Sequence, residues 1–178
     1  MEAKTTQLIK EILAGNDDAF KKLYEAYVEY ALRTTYIITQ NQNHAADIVQ
    51  ETFIKVYRNL HRYNMSMPFK PWFYTILINE SRRYMKKQNK EPFAVDSETL
   101  IHYLHDEQGF EVKGNVEILE KAFYQLNEMH RTVLILKYVH HFKEKEIADI
   151  LNLNVNTVKS RLFKGRNKLR NLIGGETI

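Results

Sequence analysis

Lys143-Glu-Lys-Glu-Ile147-Ala148-Asp-Ile-Leu151-Asn152-Leu153-Asn154-Val155-Asn156-Thr157-Val158-Lys159-Ser160-Arg161-Leu162 decides how the chain is read. Ile147, Ala148 and Leu151 recur at the spacing of one buried helix face. Val158, Leu162 and Leu169 form the stripe of a second helix that runs to Ile173. Asn152 stands where the chain must reverse after the first helix. Asn tolerates the left-handed backbone that such a reversal needs better than most residues do. Asn154 is suited to cap the second helix, with Thr157 in its first turn, while Leu153 and Val155 can plug the space between the two helices. This is the layout of a helix-turn-helix, whose second helix enters a DNA major groove by its N-terminal end.

The exposed positions of that second helix carry the chemistry. Asn156, Lys159, Ser160, Phe163 and Lys164 fall on one outward face. Lys159 can donate to guanine acceptors, Ser160 can bond several bases, and Phe163 offers an apolar surface to a thymine methyl. Arg161, Arg166, Lys168 and Arg170 suit phosphate, which fixes position without reading sequence. A surface helix with solvated lysines is the competing reading. The turn chemistry and a basic stretch free of acids from Asn156 to Asn171 together favour DNA.

The rest of the chain sets the frame. Its 178 residues suit one large domain or two small ones, and 44% hydrophobic content suffices for real cores. The absence of cysteine excludes disulfides and thiolate metal sites and fits a reducing cytoplasm. No apolar run is long enough to span a membrane, and the polar start at Met1–Gln7 does not read as a signal peptide. With six Gly and three Pro, glycine-rich phosphate loops and turn-rich β folds are poor fits. The net charge of +4 hides a pattern: five cations and no acid over Arg82–Lys90, then eight acids against Lys113 over Glu91–Glu120, then the basic helix. Two anion-binding surfaces joined by something else, or ordinary solvated faces, would both produce it.

Upstream, helical periodicity dominates and no stretch alternates in the way a sheet needs. Leu8, Ile9, Ile12 and Leu13 make a first stripe, with Gly15 as C-cap and Asn16-Asp17-Asp18 capping a helix that carries Phe20, Leu23, Tyr24, Tyr27 and Ala31. A third helix from about His44 turns Ala45, Ile48, Val49, Phe53, Val56 and Leu60 inward. Its outward stripe holds Asp47, Gln50, Glu51, Ile54 and Arg58. Arg62–Lys70 reads as a loop, and Pro71 opens a fourth helix. The outward stripe there is Thr75, Asn79, Arg82, Arg83, Lys86 and Lys90. Cations can neutralise phosphates, and Thr75 and Asn79 can bond bases. Aromatic side chains close to cations suit single-stranded nucleic acid. The Tyr63-Asn64-Met65-Ser66-Met67-Pro68-Phe69-Lys70 loop is the candidate base pocket, with Trp72 and Phe73 assigned to the core. Helices resume after Asn115 with Val116, Leu119, Ala122, Phe123 and Leu126, then over Glu128–Val139. The expected architecture is all-α: two small helical domains at 1–90 and 115–178, joined by an acidic linker at 91–114.

These blocks resemble a known family. Leu126-Asn-Glu-Met-His-Arg-Thr-Val-Leu, Glu146-Ile-Ala-Asp-Ile-Leu and Asn156-Thr-Val-Lys-Ser-Arg-Leu resemble region 4 of bacterial sigma factors. Asp18-Ala-Phe, Asp47-Ile-Val-Gln-Glu-Thr-Phe-Ile-Lys-Val-Tyr and Trp72-Phe-Tyr-Thr-Ile-Leu-Ile-Asn79 resemble region 2. Both regions with only a short linker between them is the layout of the extracytoplasmic-function (ECF, group IV) sigma factors. The chain departs where members often carry Pro (Asn127), Ser (Lys143) and Gly (Asn152 and Asn156).

The resemblance implies a transcription initiation factor that directs core RNA polymerase to promoters. It implies that Asp47, Gln50, Glu51 and Ile54 meet the β′ clamp helices of the polymerase and that region 4 meets the β flap. Tyr63, Asn64, Met65, Ser66, Thr75, Asn79, Arg82, Arg83 and Lys86 would serve the −10 element, with one flipped base captured near Asn79. Asn156, Thr157, Lys159, Ser160, Arg161, Phe163, Lys164 and Arg166 would serve the −35 element. The linker would lie in the polymerase's basic channel, or be a plain spacer. Control by an anti-sigma protein, commonly membrane-anchored, is a further family expectation.

No catalysis, cofactor or metal is expected. His102 and His105 beside Asp106 and Glu107 lack a third strong ligand at fixed spacing, and His140 and His141 point apart on a helix. Two readings compete with the sigma factor: a stand-alone helix-turn-helix regulator that binds duplex tightly without polymerase, and a helical interaction scaffold.

Overall fold

Gly15 and Asn16 show how tightly the first helices are joined. In the computed structural model, which describes residues 2–88 and 116–174, helix α1 (Glu2–Leu13) ends with Gly15 at φ +91°. The Gly15 N–H donates to Ile12 O at 2.9 Å and the Asn16 N–H to Glu11 O at 3.0 Å, a paired closure that satisfies two orphan carbonyls. Asn16 then caps α2 (Asp17–Thr39), its side chain accepting from the Asp18 N–H at 3.1 Å. Gln40, left-handed at φ 55°, ends α2, and Asn41 caps α3 (Gln42–Asn59) by accepting from the His44 N–H at 3.0 Å. A short 3-10 turn at Leu60–Arg62 leads into the loop before α4 (Phe69–Gln88).

The chain divides into two units, 1–91 and 92–178. In the first, α1 to α4 enclose Ile9, Leu23, Ile37, Ile48, Val56, Phe73 and Leu77, all essentially without solvent contact. The predicted inward face of α3 is buried throughout. Phe73 is core as expected, but Trp72 is only half-buried, packed at a ring distance of 5.0 Å from Tyr63. The second half of α2 differs from an amphipathic reading: every residue from Arg33 to Thr39 is buried. Thr35 and Thr39 survive there because each hydroxyl donates to the carbonyl four residues back.

In the second unit, α5 (Val116–Gln125) is followed by α6 (Glu128–Leu134), capped by Asn127, whose side chain accepts from the His130 N–H at 3.1 Å. The continuous helix expected to Val139 instead widens into one π turn at Ile135–Val139, the His140 N–H reaching Ile135 O at 3.1 Å. His141, at φ 57°, turns the chain into α7 (Glu144–Leu151), where the Lys143 N–H donates to the Glu146 carboxylate at 2.7 Å. Helix α8 (Val155–Gly174) packs on α6 and α7 through Val158, Leu162 and Leu169. Gly165 makes the α6–α8 approach possible. A Cβ there would lie 3.3 Å from His130 Cβ and from Leu134 Cδ1. Among the described residues there is no strand. The acidic linker expected at 91–114 and its histidines lie outside them.

Candidate functional site

The turn between α7 and α8 forms as its residues require. Asn152 is left-handed at φ 51°, its N–H returned to Ala148 O and Asp149 O. Asn154 caps α8 by accepting from both the N–H and the hydroxyl of Thr157, at 2.7 and 2.9 Å. This fixes how α8 emerges, with Val158, Leu162, Gly165 and Leu169 against the unit. The opposite face presents Asn156, Lys159, Ser160, Phe163, Lys164 and Arg166 to solvent, while Thr157 and Arg161 are half-buried at its edge. Phe163 is 59% exposed, an aromatic surface set among the cations of that face. Arg166 is oriented by donating to the Tyr138 hydroxyl at 2.9 Å, a partner on the π turn that sequence spacing could not reveal.

Beneath that face His130 is 7% exposed, and its Nδ1 has no hydrogen-bond partner. Burial pushes its pKa down from 6.5, and Lys168, Arg161 and Lys164 push it further in the same direction. The basic face of α8 therefore rests on an imidazole whose neutral form is favoured.

In the first unit, α4 divides its candidate residues. Asn79 and Lys86 are exposed, and Arg82 and Thr75 are half-buried, with the Thr75 hydroxyl donating to Pro71 O at 2.9 Å. Arg83 is exposed but turned toward α3: its Nε donates to Glu80 at 2.9 Å and its Nη2 stands 3.8 Å from Glu51. Lys90 lies outside the described residues. The loop is held by the Tyr63 hydroxyl donating to Met67 O and by Asn64, whose side chain accepts from the Ser66 N–H at 3.0 Å. Asn64, Met65 and Ser66 point into solvent around that turn.

The concave feature beside Asn79 is a cleft of about 320 Å³ between the end of α3 and α4. Trp72, Ile76, Asn79 and Glu80 form its α4 wall, and Lys55, Asn59 and Arg62 the opposite one. The loop reaches this cleft through the Tyr63–Trp72 contact. Sequence reading singled out Asn79 and missed Lys55, Asn59, Arg62 and Ile76. Lys55 sits beside inward-facing Val56 and Phe53, and only the cross-helix bond to Glu80 reveals its direction.

On α3, Asp47, Gln50 and Ile54 are exposed and Glu51 half-buried on a continuous outward face; Asp47 accepts from the Tyr84 hydroxyl at 3.3 Å. Beside it runs a larger groove of about 810 Å³ between α2 and α3, lined by Phe20, Tyr24, Val28, Phe53, Ile54 and Tyr57 among others. Tyr24 and Tyr57 are 42% and 51% exposed. Sequence reading assigned Tyr24 to the interior stripe, because helical spacing cannot separate a core edge from a groove wall.

Comparison with known proteins gives this geometry its class. Residues 23–91 match the family described as Sigma-70 region 2, and residues 117–169 the family described as Sigma-70, region 4. The chain is 29% identical over 182 residues to the ECF RNA polymerase sigma factor SigW of Bacillus subtilis, spanning 96% of this chain and 97% of that protein. It is 30% identical over 154 residues to the ECF RNA polymerase sigma factor SigM of the same organism, spanning 85% and 93%. Among solved structures, CnrH in complex with the cytosolic domain of CnrY superposes with a TM-score of 0.72 at 21% identity, covering 98% of this chain and 99% of that one. The sigma factor RpoE in complex with the anti-sigma factor NepR from Bartonella quintana gives 0.67 at 23% identity, covering 88% and 98%. At these identities the structural likeness is one of fold.

The two helical units thus define a promoter-directing transcription initiation factor. The chain belongs to the ECF RNA polymerase sigma factors.

Proposed function

We propose that this sigma factor divides promoter recognition between its units, with boundaries at 1–90 and 115–178 and the acidic 91–114 segment as tether. The α3 face of Asp47, Gln50, Glu51 and Ile54, extended by the apolar α2–α3 groove, takes the β′ clamp helices of core RNA polymerase. An acidic, amide-bearing stripe beside exposed aliphatic and aromatic carbon suits a basic amphipathic helix. Region 4 takes the β flap. Tyr63, Asn64, Met65, Ser66 and the α4 residues Thr75, Asn79, Arg82 and Lys86 engage the −10 element, and Arg83 joins them from its place beside Glu80. The α8 residues from Asn156 to Arg166 engage the −35 element.

The observation that carries the reading is the Asn79 cleft. An aromatic wall, an amide and flanking cations at a lobe's surface suit an unstacked base. Extruding a base costs a few kcal/mol, so a shaped polar pocket is needed to offset it. The chain itself performs no catalysis, and the polymerase supplies the phosphoryl chemistry. It works in the cytoplasm; no helix among the described residues is long and apolar enough to cross a membrane. An anti-sigma protein, membrane-anchored or not, restrains it by covering the same surfaces, as suits a fold shared with sigma factors solved in complex with such partners.

Run-off transcription with purified core polymerase on genomic templates tests this. Initiation at discrete sites that requires the chain is expected. Failure with a competent core enzyme, together with tight duplex binding by the free chain, would favour a stand-alone regulator.

A further inference from the structure

Glu80 is a carboxylate with 6% exposure on the DNA-side helix α4. A buried carboxylate is costly unless cations meet it, and two do. One oxygen accepts from Lys55 Nζ, across from α3; the other accepts from Arg83. Lys55 is itself about one-third exposed and lines the Asn79 cleft. The Lys55–Glu80 and Asp47–Tyr84 contacts make α3 and α4 antiparallel, so the cleft has two different ends. Trp72 and Arg62 stand at one end, Asn59 and Ile76 in the middle, and Asn79, Lys55 and Glu80 at the other.

We propose that Glu80 is the positioning residue for base capture: it holds the Lys55 ammonium at the polar end of the cleft, where Lys55 donates to the edge of the base that Asn79 receives. The proposal rests on the cleft reading given above. An ammonium carries three donors, and Glu80 uses one, leaving two for base acceptors. A lysine stem has several soft torsions, and ordering it during binding is unfavourable. Anchoring it beforehand to a buried carboxylate removes that penalty. Helix α3 then serves both sides of the lobe, presenting Glu51 and Ile54 outward to the polymerase and Lys55 to the DNA strand.

The test exploits a difference in sign. Glu80→Gln removes a negative charge from beside the cleft. If Glu80 acted only through charge, the variant would bind single-stranded DNA more tightly at every position. If it positions Lys55, the variant loses preference for one base while its general affinity for the strand is unchanged or increased. The holoenzyme, full chain with core polymerase, is used to select a DNA decamer from a randomised single-stranded pool. The selected decamer is then remade with one abasic site at each position in turn.

For the native chain one abasic position should dominate the loss of affinity, and Asn79→Ala should abolish that dominance. Glu80→Gln should lower the intact-to-abasic preference there by roughly five- to tenfold. Lys55→Met should do the same, and the double variant should lose no more than either alone. Glu80→Asp, which keeps the charge, should recover part of the preference. The proposal is overturned if Glu80→Gln keeps the native preference, if it weakens intact and abasic strands equally, or if the two single losses add. Should no abasic position dominate, or should Asn79→Ala leave the dominance intact, the cleft reading itself fails and takes the proposal with it. Thermal unfolding of each variant separates misfolding from these outcomes; in Lys55→Met the buried Glu80 carboxylate keeps Arg83 as its cation.

Discussion

Lys159 and Arg166 lie on one exposed face of α8 but have different surroundings. Lys159 stands two residues after the Asn154–Thr157 cap, in the turn that leads into a groove. Arg166 lies further along and is steered by Tyr138. Lys159→Ala or Ser160→Ala should weaken −35 readout by about 1–3 kcal/mol per lost base contact and relax preference at that base pair. Arg166→Ala should instead weaken binding to all sequences alike and flatten the dependence on salt by about one phosphate's worth. Affinities of the holoenzyme for a panel of single-base promoter variants, measured at several salt concentrations, separate the two. Identical behaviour would undo this sorting of α8. The exposed placement of both residues was legible from spacing, because the buried stripe of α8 is regular. The Tyr138 partner was not, because it comes from a π turn that no sequence period marks.

At the scale of elements, α3 shows how far pattern carries. Its inward residues are apolar except Thr52, whose hydroxyl bonds within the helix, so its orientation follows from hydrophobic spacing. The adjoining groove does not, because Tyr24 falls on a core stripe in sequence and, with Tyr57, stands half in solvent. Glu51→Ala and Ile54→Ala should each lower affinity for core polymerase, with duplex binding by the second unit unchanged. Fluorescence anisotropy against core enzyme and against a −35 duplex reads both. The second half of α2 was illegible for the opposite reason: threonines that bond to their own helix look polar yet are buried.

The α6–α8 crossing carries a pH dependence. In the folded state burial and then Lys168, Arg161 and Lys164 lower the His130 pKa from its ordinary 6.5, while the unfolded chain protonates normally. Below about pH 6.5 the unfolded state therefore binds the extra proton, and stability falls as pH drops until the folded pKa is also passed. Thermal unfolding of the full chain should show a midpoint that falls between about pH 7.5 and 5.5 more than in His130→Leu. An equal decline in both would assign the dependence to other groups.

For the whole molecule, two readers of modest strength gain from being joined. Each correct base pair is worth only about 1–3 kcal/mol, and a tether makes the second engagement effectively intramolecular. We propose one further role for the intervening acids: as a net negative segment they lower the affinity of the free chain for nonspecific DNA. Neutralising Asp96, Glu98, Asp106, Glu107 and Glu111 by amide substitution should raise the affinity of the free chain for nonspecific duplex, most at low salt. No change in a filter-binding titration would discard the idea. The two-unit layout was legible because charge and periodicity both change around residues 90 and 115. The cleft was not, because its walls come from residues far apart in sequence, brought together by helix packing.

Thr35, Thr52 and Ser81 have no solvent exposure, one on each of α2, α3 and α4, and each hydroxyl donates to the carbonyl one turn back in its own helix. At these three sites the first unit's interior contains alcohols without requiring a matched acceptor on a neighbouring helix, whereas across the α1–α2 seam the hydroxyls of Thr5 and Tyr27 do pair, at 3.3 Å. At these three positions the facing helix has only to match shape. A lineage could swap hydroxyl for methyl at such sites with little consequence, leaving the surfaces that meet DNA and polymerase free to diverge over an interior that tolerates the exchange.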